Sequence, residues 1–312
     1  MHPKTGKGSA TPGAFLRPLM LLFFCMACSK ITRESKYKLN HEPPVAAAKE
    51  AKLPPPKKKK KKIYLTFDDG PNKGTPTVLS IVQQEQVPVT FFIVGEHVFA
   101  STTQHATWDS LQQAAMVELC NHSYTHAHNH YDKFYGNADS VVNDFERCRD
   151  SLNLDNNIAR TPGRNIWRID TLSYTDLKKS AMAADSLQQA GFTIIGWDLE
   201  WHYDHKTFSL KSKSDELLQQ IDSLFAHNKT RLPENLVLLA HDQVYKKSDD
   251  SAELHRLIKL LKQRDEYELL VASNYPGAGN RMNSQSGQMS QNSQMGQNGQ
   301  TGQSSQLSPK VQ

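Results

Sequence analysis

The sequence predicts an α/β fold assembled from βαβ units, with mostly parallel strands, in a single domain running from Ile63 to Ser273. Three observations lead there. Short apolar runs rich in β-branched residues alternate with stretches whose apolar residues recur at helical spacing. The length of this segment suits one domain. Acidic residues and histidines stand at the C-terminal ends of the apolar runs, where folds of this kind place their chemistry.

The elements follow in order. Ile63 to Phe67 is a buried strand that breaks at Asp68-Asp69-Gly70-Pro71. Thr75-Pro76 offers an N-cap and a proline at the first helical position, with Val78, Leu79 and Val82 continuing the helix. Val89 to Val94 is a second strand, Leu111 to Met116 the end of a helix, and Val117 to Leu119 a short strand. Val141, Val142, Phe145 and Leu152 mark a further helix. Phe192 to Trp197 and Leu236 to Ala240 are strands; Leu254, Leu257, Ile258 and Leu261 form a helical stripe, and Leu269 to Ala272 closes the series.

Both ends differ in composition. In residues 1–28, the basic residues Lys4, Lys7 and Arg17 precede an apolar run, Pro18 to Ala27, too short to span a bilayer and suited to a signal peptide. Met26-Ala27-Cys28-Ser29 resembles a bacterial lipobox, with Cys25 departing from the usual pattern upstream. That resemblance implies acyl chains on Cys28 and a membrane-anchored lipoprotein of the cell envelope, on its periplasmic or surface side. The other reading is a soluble exported protein cleaved nearby. Residues 29–62 read as a tether stiffened by prolines and kept solvated by the run Lys57 to Lys62, which could also touch acidic polymer or anionic headgroups. Residues 274–312, rich in Gln, Ser, Asn and Gly, read as a disordered tail. The net charge of +5 is accounted for by that lysine run, so no basic face and no nucleic-acid partner are expected. In the core, Cys120 and Cys148 could form a disulfide in an oxidising compartment, although two buried free thiols fit slightly better.

Five segments carry candidate chemistry. Adjacent carboxylates at Asp68 and Asp69 repel unless a cation is near, yet Asp-Asp-Gly-Pro is also ordinary turn chemistry. His122 and His126 stand four apart, a spacing that on one helical turn suits zinc, with His128 and His130 close behind. Arg160-Thr161-Pro162-Gly163 is a rigid turn bearing a guanidinium, and Trp197 to Trp201 sets acids among two indoles. His241 ends an apolar strand, where a lone histidine is as readily structural.

Together and in this order the segments resemble the NodB-type polysaccharide deacetylase family. Its TFDDGP motif is intact at Thr66 to Pro71, its HSxxH motif at His122 to His126, its RxP motif at Arg160 to Pro162 and its LxH motif at Leu239 to His241. The resemblance covers Ile63 to Ser273. It implies a distorted, incomplete (β/α) barrel. It also implies one divalent metal, zinc before others, on Asp69, His122 and His126, with Asp68 as catalytic base and His241 as general acid. Arg160 would orient Asp68, Leu239 would line the pocket for the acetyl methyl, and the Gly163 N–H would hold the oxyanion. Trp197 and Trp201, at an open barrel mouth, would stack on the sugar, and Asp198 would pair with Arg160 or His241. Gly163 stands where the family often has tyrosine, and Asp198-Leu199-Glu200-Trp201 is a reduced form of another family segment, in which Glu200 would be the substitute acid. The expected activity is hydrolytic N-deacetylation of an acetylated polysaccharide or oligosaccharide, peptidoglycan-, chitin- or poly-N-acetylglucosamine-like. The alternatives are a catalytically weak carbohydrate-binding lipoprotein of the same fold, and a metal amidohydrolase acting on a non-sugar amide.

Overall fold

A computed structural model describes residues 59–170 and 172–279. The targeting segment with Cys28, the tether up to Pro56 and the first two lysines of the run, and the tail from Asn280 lie outside the described residues.

The first half runs β1 (Lys61–Gly70), α1 (Thr75–Glu85), β2 (Val89–Ile93), α2 (Gly95–Val98), α3 (Thr102–Gln112), β3 (Val117–Asn121), α4 (Tyr131–Tyr135), α5 (Ala138–Leu152), β4 (Ile158–Ala159), β5 (Ile166–Ile169) and β6 (Leu172–Thr175). The second runs α6 (Ala181–Gln189), β7 (Thr193–Ile194), β8 (Leu199–Glu200), β9 (Tyr203–Asp204), β10 (Ser209–Leu210), α7 (Ser214–Ala226), β11 (Asn235–His241), α8 (Ser248–Lys262) and β12 (Tyr267–Leu269). The main sheet has the order β6-β5-β7-β4-β3-β2-β1-β11-β8, with β12 paired to β1. From β4 to β8 the pairing is parallel, and β5 runs antiparallel to β6 and β7. Among the described residues β6 and β8 do not pair, so the barrel is incomplete, as the family resemblance implies.

The central position of β1 explains its composition. A parallel strand covered on both faces reads as a continuous apolar run, and Ile63, Tyr64, Leu65 and Phe67 are fully buried. Alternation sends Ile63, Leu65 and Phe67 into the layer under α1 and α8, while Tyr64 joins Phe92, Trp167 and Val237 inside the barrel. Asp68, two residues on from Thr66, inherits the inward face.

Some boundaries move. Strand β1 begins at Lys61, inside the lysine run, because Lys61 and Lys62 pair with β12 and β11. At the other end Tyr275 and Ala278 are buried in the inner core, so packing continues past Ser273. The N-cap of α1 is Gly74; Thr75 is the first helical residue, and its hydroxyl instead bonds Asp242. Cys120 and Cys148 are both free and buried.

The carboxylate of Glu85, at the end of α1, binds His255 Nε2 at 2.7 Å and Lys262 Nζ at 2.9 Å on α8. The Lys262 and His255 hydrogen bonds pull it down to about 2 from an ordinary 4.5. A carboxyl lowered by folding stabilises above its unfolded pKa, and that contribution disappears as pH falls through the folded value. Between pH 4.5 and 2, Glu85→Gln is therefore expected to lose less stability than the parent in urea titrations. Parallel losses would show that the cluster does not hold α1 to α8.

Candidate active site

Four strand ends converge on one cleft of about 740 Å³. Strand β1 delivers Asp68 and Asp69, β3 leads into His122, β4 into Arg160, and β11 ends at His241. Two adjacent residues of one strand ordinarily face opposite ways. Here Asp69 adopts φ 75, a left-handed backbone that brings it to the same cleft as Asp68. His97 Nδ1, from α2, donates to the Asp69 carbonyl at 2.8 Å and braces that conformation.

Arg160 is fully buried. Its Nη1 donates to Asp68 Oδ1 at 2.8 Å and to Thr66 Oγ1 at 2.7 Å. Nε and Nη2 donate to the carbonyls of Ile195 and Gly196 at 3.1 and 2.9 Å. Phe92 covers the guanidinium, with its ring centroid 4.1 Å away. The expected orienting contact with Asp68 is thus present, with every group around it fixed.

Asp69, His122 and His126 each offer a ligand atom, and these three atoms lie within 4.8 Å of one another. Asp69 Oδ1 is 3.1 Å from His126 Nε2 and 3.5 Å from His122 Nε2. The imidazole nitrogens are near but not aligned to donate, and Oδ1 is a buried oxygen that receives no hydrogen bond. His122 Nδ1 meets the Arg160 carbonyl at 2.9 Å. A carbonyl only accepts, so the proton sits on Nδ1 and Nε2 keeps its lone pair for a metal. Burial raises the Asp69 carboxyl, but His122, His126 and His241 outweigh burial and hold it well below the usual range. For His122 burial acts downward, and Asp68 and Asp69 overcome it to raise the imidazole. A carboxylate and two imidazoles around an orphaned oxygen fit a divalent cation with open positions, zinc included.

The segment joining these histidines is not the helical turn that their spacing suggests. Ser123, His126, Ala127, His128 and Asn129 all have positive φ. Side chains hold the turn instead. Asn121 Oδ1 accepts from Ser123 N at 2.8 Å, and Asp144 Oδ2 accepts from Tyr124 N and Thr125 N at 3.0 and 3.1 Å. His128 turns out to the surface and pairs with Glu96.

Leu239, Gly163 and His241 line the cleft as expected. Gly163 has φ +62, and a Cβ there would stand 3.0 Å from the ring of Tyr131. The aromatic ring that the chain lacks at this position is supplied from α4, and it also packs 5.9 Å from His126.

Two expectations are corrected. Asp198 reaches neither Arg160 nor His241. Its carboxylate accepts from Arg231 N at 2.6 Å and from Val237 N at 2.8 Å, fastening the start of β11, and burial pushes it up to about 6. Trp201 does not contact the cleft. It is 1 % exposed, its indole N–H donates to Ser212 O at 3.1 Å, and it packs on Tyr245. The indole that lines the cleft is Trp197, joined by Glu200. Glu200 pairs with Leu239 in parallel register, so the two share a face.

Four contributors escaped the sequence reading: Tyr131, Tyr203, Asp242 and Gln243. Asp242 is buried and bonds Asn72 and Thr75, tying the end of β11 to the turn after β1. Burial raises its carboxyl to about 7 against those hydrogen bonds. A Cβ on Gly70 would stand 2.7 Å from Asp242 Oδ2, and one on Gly74 1.9 Å from its carbonyl oxygen, which is why that turn carries glycines. The available signal was position: both Asp242 and Gln243 directly follow a histidine at a strand end.

The strand ends of this incomplete α/β barrel carry an Asp-His-His cluster that could hold a divalent cation, with Asp68 beside it on Arg160, an arrangement suited to hydrolysis. Residues 56–192 match the polysaccharide deacetylase family model, and that segment is similar to the family. It is 28% identical over 182 residues to a peptidoglycan-N-acetylglucosamine deacetylase of Bacillus cereus, covering 57% of this chain and 59% of that protein. It is 41% identical over 68 residues to a chitooligosaccharide deacetylase of a Bradyrhizobium species, covering 20% of this chain and 28% of the relative. A bifunctional xylanase/xylan deacetylase of Cellvibrio japonicus is 28% identical over 137 residues, 44% of this chain and 18% of that protein. The chain therefore spans less than two thirds of these relatives. Among solved structures, a Streptococcus mutans CE4 esterase superposes with a TM-score of 0.51 at 24% identity, over 68% of this chain and 86% of that one, and so shares the fold.

Proposed function

We propose that this chain hydrolyses N-acetyl groups from sugar residues of an acetylated envelope or extracellular polysaccharide, using one divalent metal, zinc first, on Asp69, His122 and His126. The observation that carries the reading is the orphaned Asp69 Oδ1 facing two imidazole nitrogens, with Asp68 left out of the cluster. When bound, the metal supplies Lewis acidity toward the amide carbonyl and water. Asp68, anchored through Oδ1, takes the proton of water adding to the acetyl carbon. The Gly163 N–H steadies the developing oxyanion, and Leu239 receives the acetyl methyl. His241, facing Asp68 across the β1–β11 register, protonates the departing amine. The substrate class rests on the relatives' names, which include chitooligosaccharide, chitin disaccharide and peptidoglycan-N-acetylglucosamine deacetylases.

Zinc-loaded protein incubated with acetylated chitin oligomers and peptidoglycan fragments is expected to remove acetyl groups, followed as acetate release and by mass spectrometry. A chelator should abolish release and lower the melting temperature, since zinc at about 1,000 times its Kd adds about 4 kcal/mol. Restored metal should restore both. Protein that binds zinc yet leaves every one of these glycans acetylated would overturn the reading.

The location of the substrate fits an envelope lipoprotein anchored at Cys28. Labelled palmitate is expected in the parent and not in Cys28→Ala; equal incorporation in both removes the anchor.

A further inference from the structure

Asp69 turns one carboxylate oxygen, Oδ1, toward the two histidines. Its other oxygen, Oδ2, is 3.4 Å from the side-chain nitrogen of Gln243. That same Nε2 donates to the hydroxyl of Tyr203 at 2.9 Å. A carboxamide nitrogen carries two hydrogens, so one glutamine serves both acceptors. Gln243 is itself held firmly. His241 ends β11, Asp242 is buried and bonded to Asn72 and Thr75, and the chain then enters a 3₁₀ turn, Asp242–Lys246. Tyr203 packs its ring 5.1 Å from that of His241.

We infer that Gln243 is a positioning residue: it holds the Asp69 carboxylate with Oδ1 toward His122 and His126, and Tyr203 braces it from the β9–β10 hairpin. This deepens the metal-centre reading and rests on it. A carboxylate free to rotate presents either oxygen; a donor on Oδ2 fixes the plane and leaves Oδ1 for the cation. Outer hydrogen bonds to metal ligands are typically worth about 10- to 100-fold in metal affinity. The arrangement also ties the hairpin wall of the cleft to the metal ligand through hydrogen bonds, with the ring of His241 packed on Tyr203. Contact between substrate and hairpin therefore bears on the orientation of Asp69.

The test is zinc affinity of the full chain, by competition with a chromophoric chelator at fixed pH. Gln243→Met keeps length and volume but removes the donor, and zinc binding is expected to weaken about 10- to 100-fold. Tyr203→Phe keeps the ring on His241 and removes the acceptor; a smaller loss, roughly 2- to 10-fold, is expected. Unchanged affinity in a folded Gln243→Met overturns the inference, and unchanged affinity in Tyr203→Phe alone removes the brace. Should Gln243→Met fail to fold by circular dichroism, Gln243→Leu, which also lacks the donor, takes its place, and unchanged affinity there overturns the inference. His126→Ala separates the two levels. If it binds zinc as the parent does, the metal centre itself is misplaced; if it loses zinc while Gln243→Met keeps it, only the role of Gln243 falls.

Discussion

Asp68→Asn is expected to bind zinc as the parent does and to release acetate about 10² to 10⁴ times more slowly. The substitution preserves shape and volume. Its amide oxygen can still accept from Arg160 Nη1, as Asp68 Oδ1 now does at 2.8 Å. What disappears is the second oxygen, which lies 3.7 Å from His122 Nε2 at the edge of the cluster. An NH₂ group in that place cannot take a proton from water. The three ligand atoms are supplied by other residues, so metal content should not move. The expected pattern is a fall in kcat with KM little changed, because the contribution is made when the proton moves and not when the sugar binds. A turnover within about tenfold of the parent would assign the base elsewhere.

The parts of this site that obey a short-range rule could be read directly from the sequence. Strand β1 declares itself by five consecutive apolar or β-branched residues, and period-two alternation places Asp68 on the inward face with Thr66. Asp69 obeys no such period: it reaches the cleft only through its left-handed backbone, and nothing local announces φ 75. The histidine pair shows a similar limit. A spacing of four satisfies a helix, but side-chain bonds from Asn121 and Asp144 fold the segment into a turn that also brings the two nitrogens together. The spacing of four points to the pair that the structure brings together, but the segment between them is a turn and not a helix. Of the two indoles only Trp197 reaches the cleft, because β8 spans two residues, too few to fix from sequence which side faces it. Asp198 differs for another reason. Proximity in sequence to the cleft says nothing about direction, and its carboxylate turns away to the backbone of Arg231 and Val237. Tyr131 fills the space over Gly163 from a helix some thirty residues earlier, a contact invisible to any motif. The lysine run hid the first two residues of β1, since their strand character comes from partners on β11 and β12.

Arg160→Met is expected to lower unfolding free energy by about 3 to 5 kcal/mol, the usual cost of breaking a buried ion pair from one side. The guanidinium and the Asp68 side chain are 0% and 3% exposed, so water cannot replace the lost partner. Three neutral acceptors lose their donor as well: Thr66 Oγ1 and the carbonyls of Ile195 and Gly196. Methionine fills most of the volume against Phe92, so the loss is electrostatic and not a cavity effect. Urea denaturation in the presence of chelator measures it without a contribution from metal binding. The double variant Arg160→Met with Asp68→Leu tests the cause. If the penalty comes from stranding a carboxylate in the core, removing that carboxylate recovers much of the stability, because an apolar pair can substitute for a buried ion pair at little cost. If the double variant is no more stable than Arg160→Met, the guanidinium acts mainly through the carbonyls of Ile195 and Gly196, as a clamp between β4 and the segment after β7. Neither variant is expected to release acetate. Arg160 would then be shown to hold the base in place, and stability and catalysis to meet in a single hydrogen bond at the end of β1.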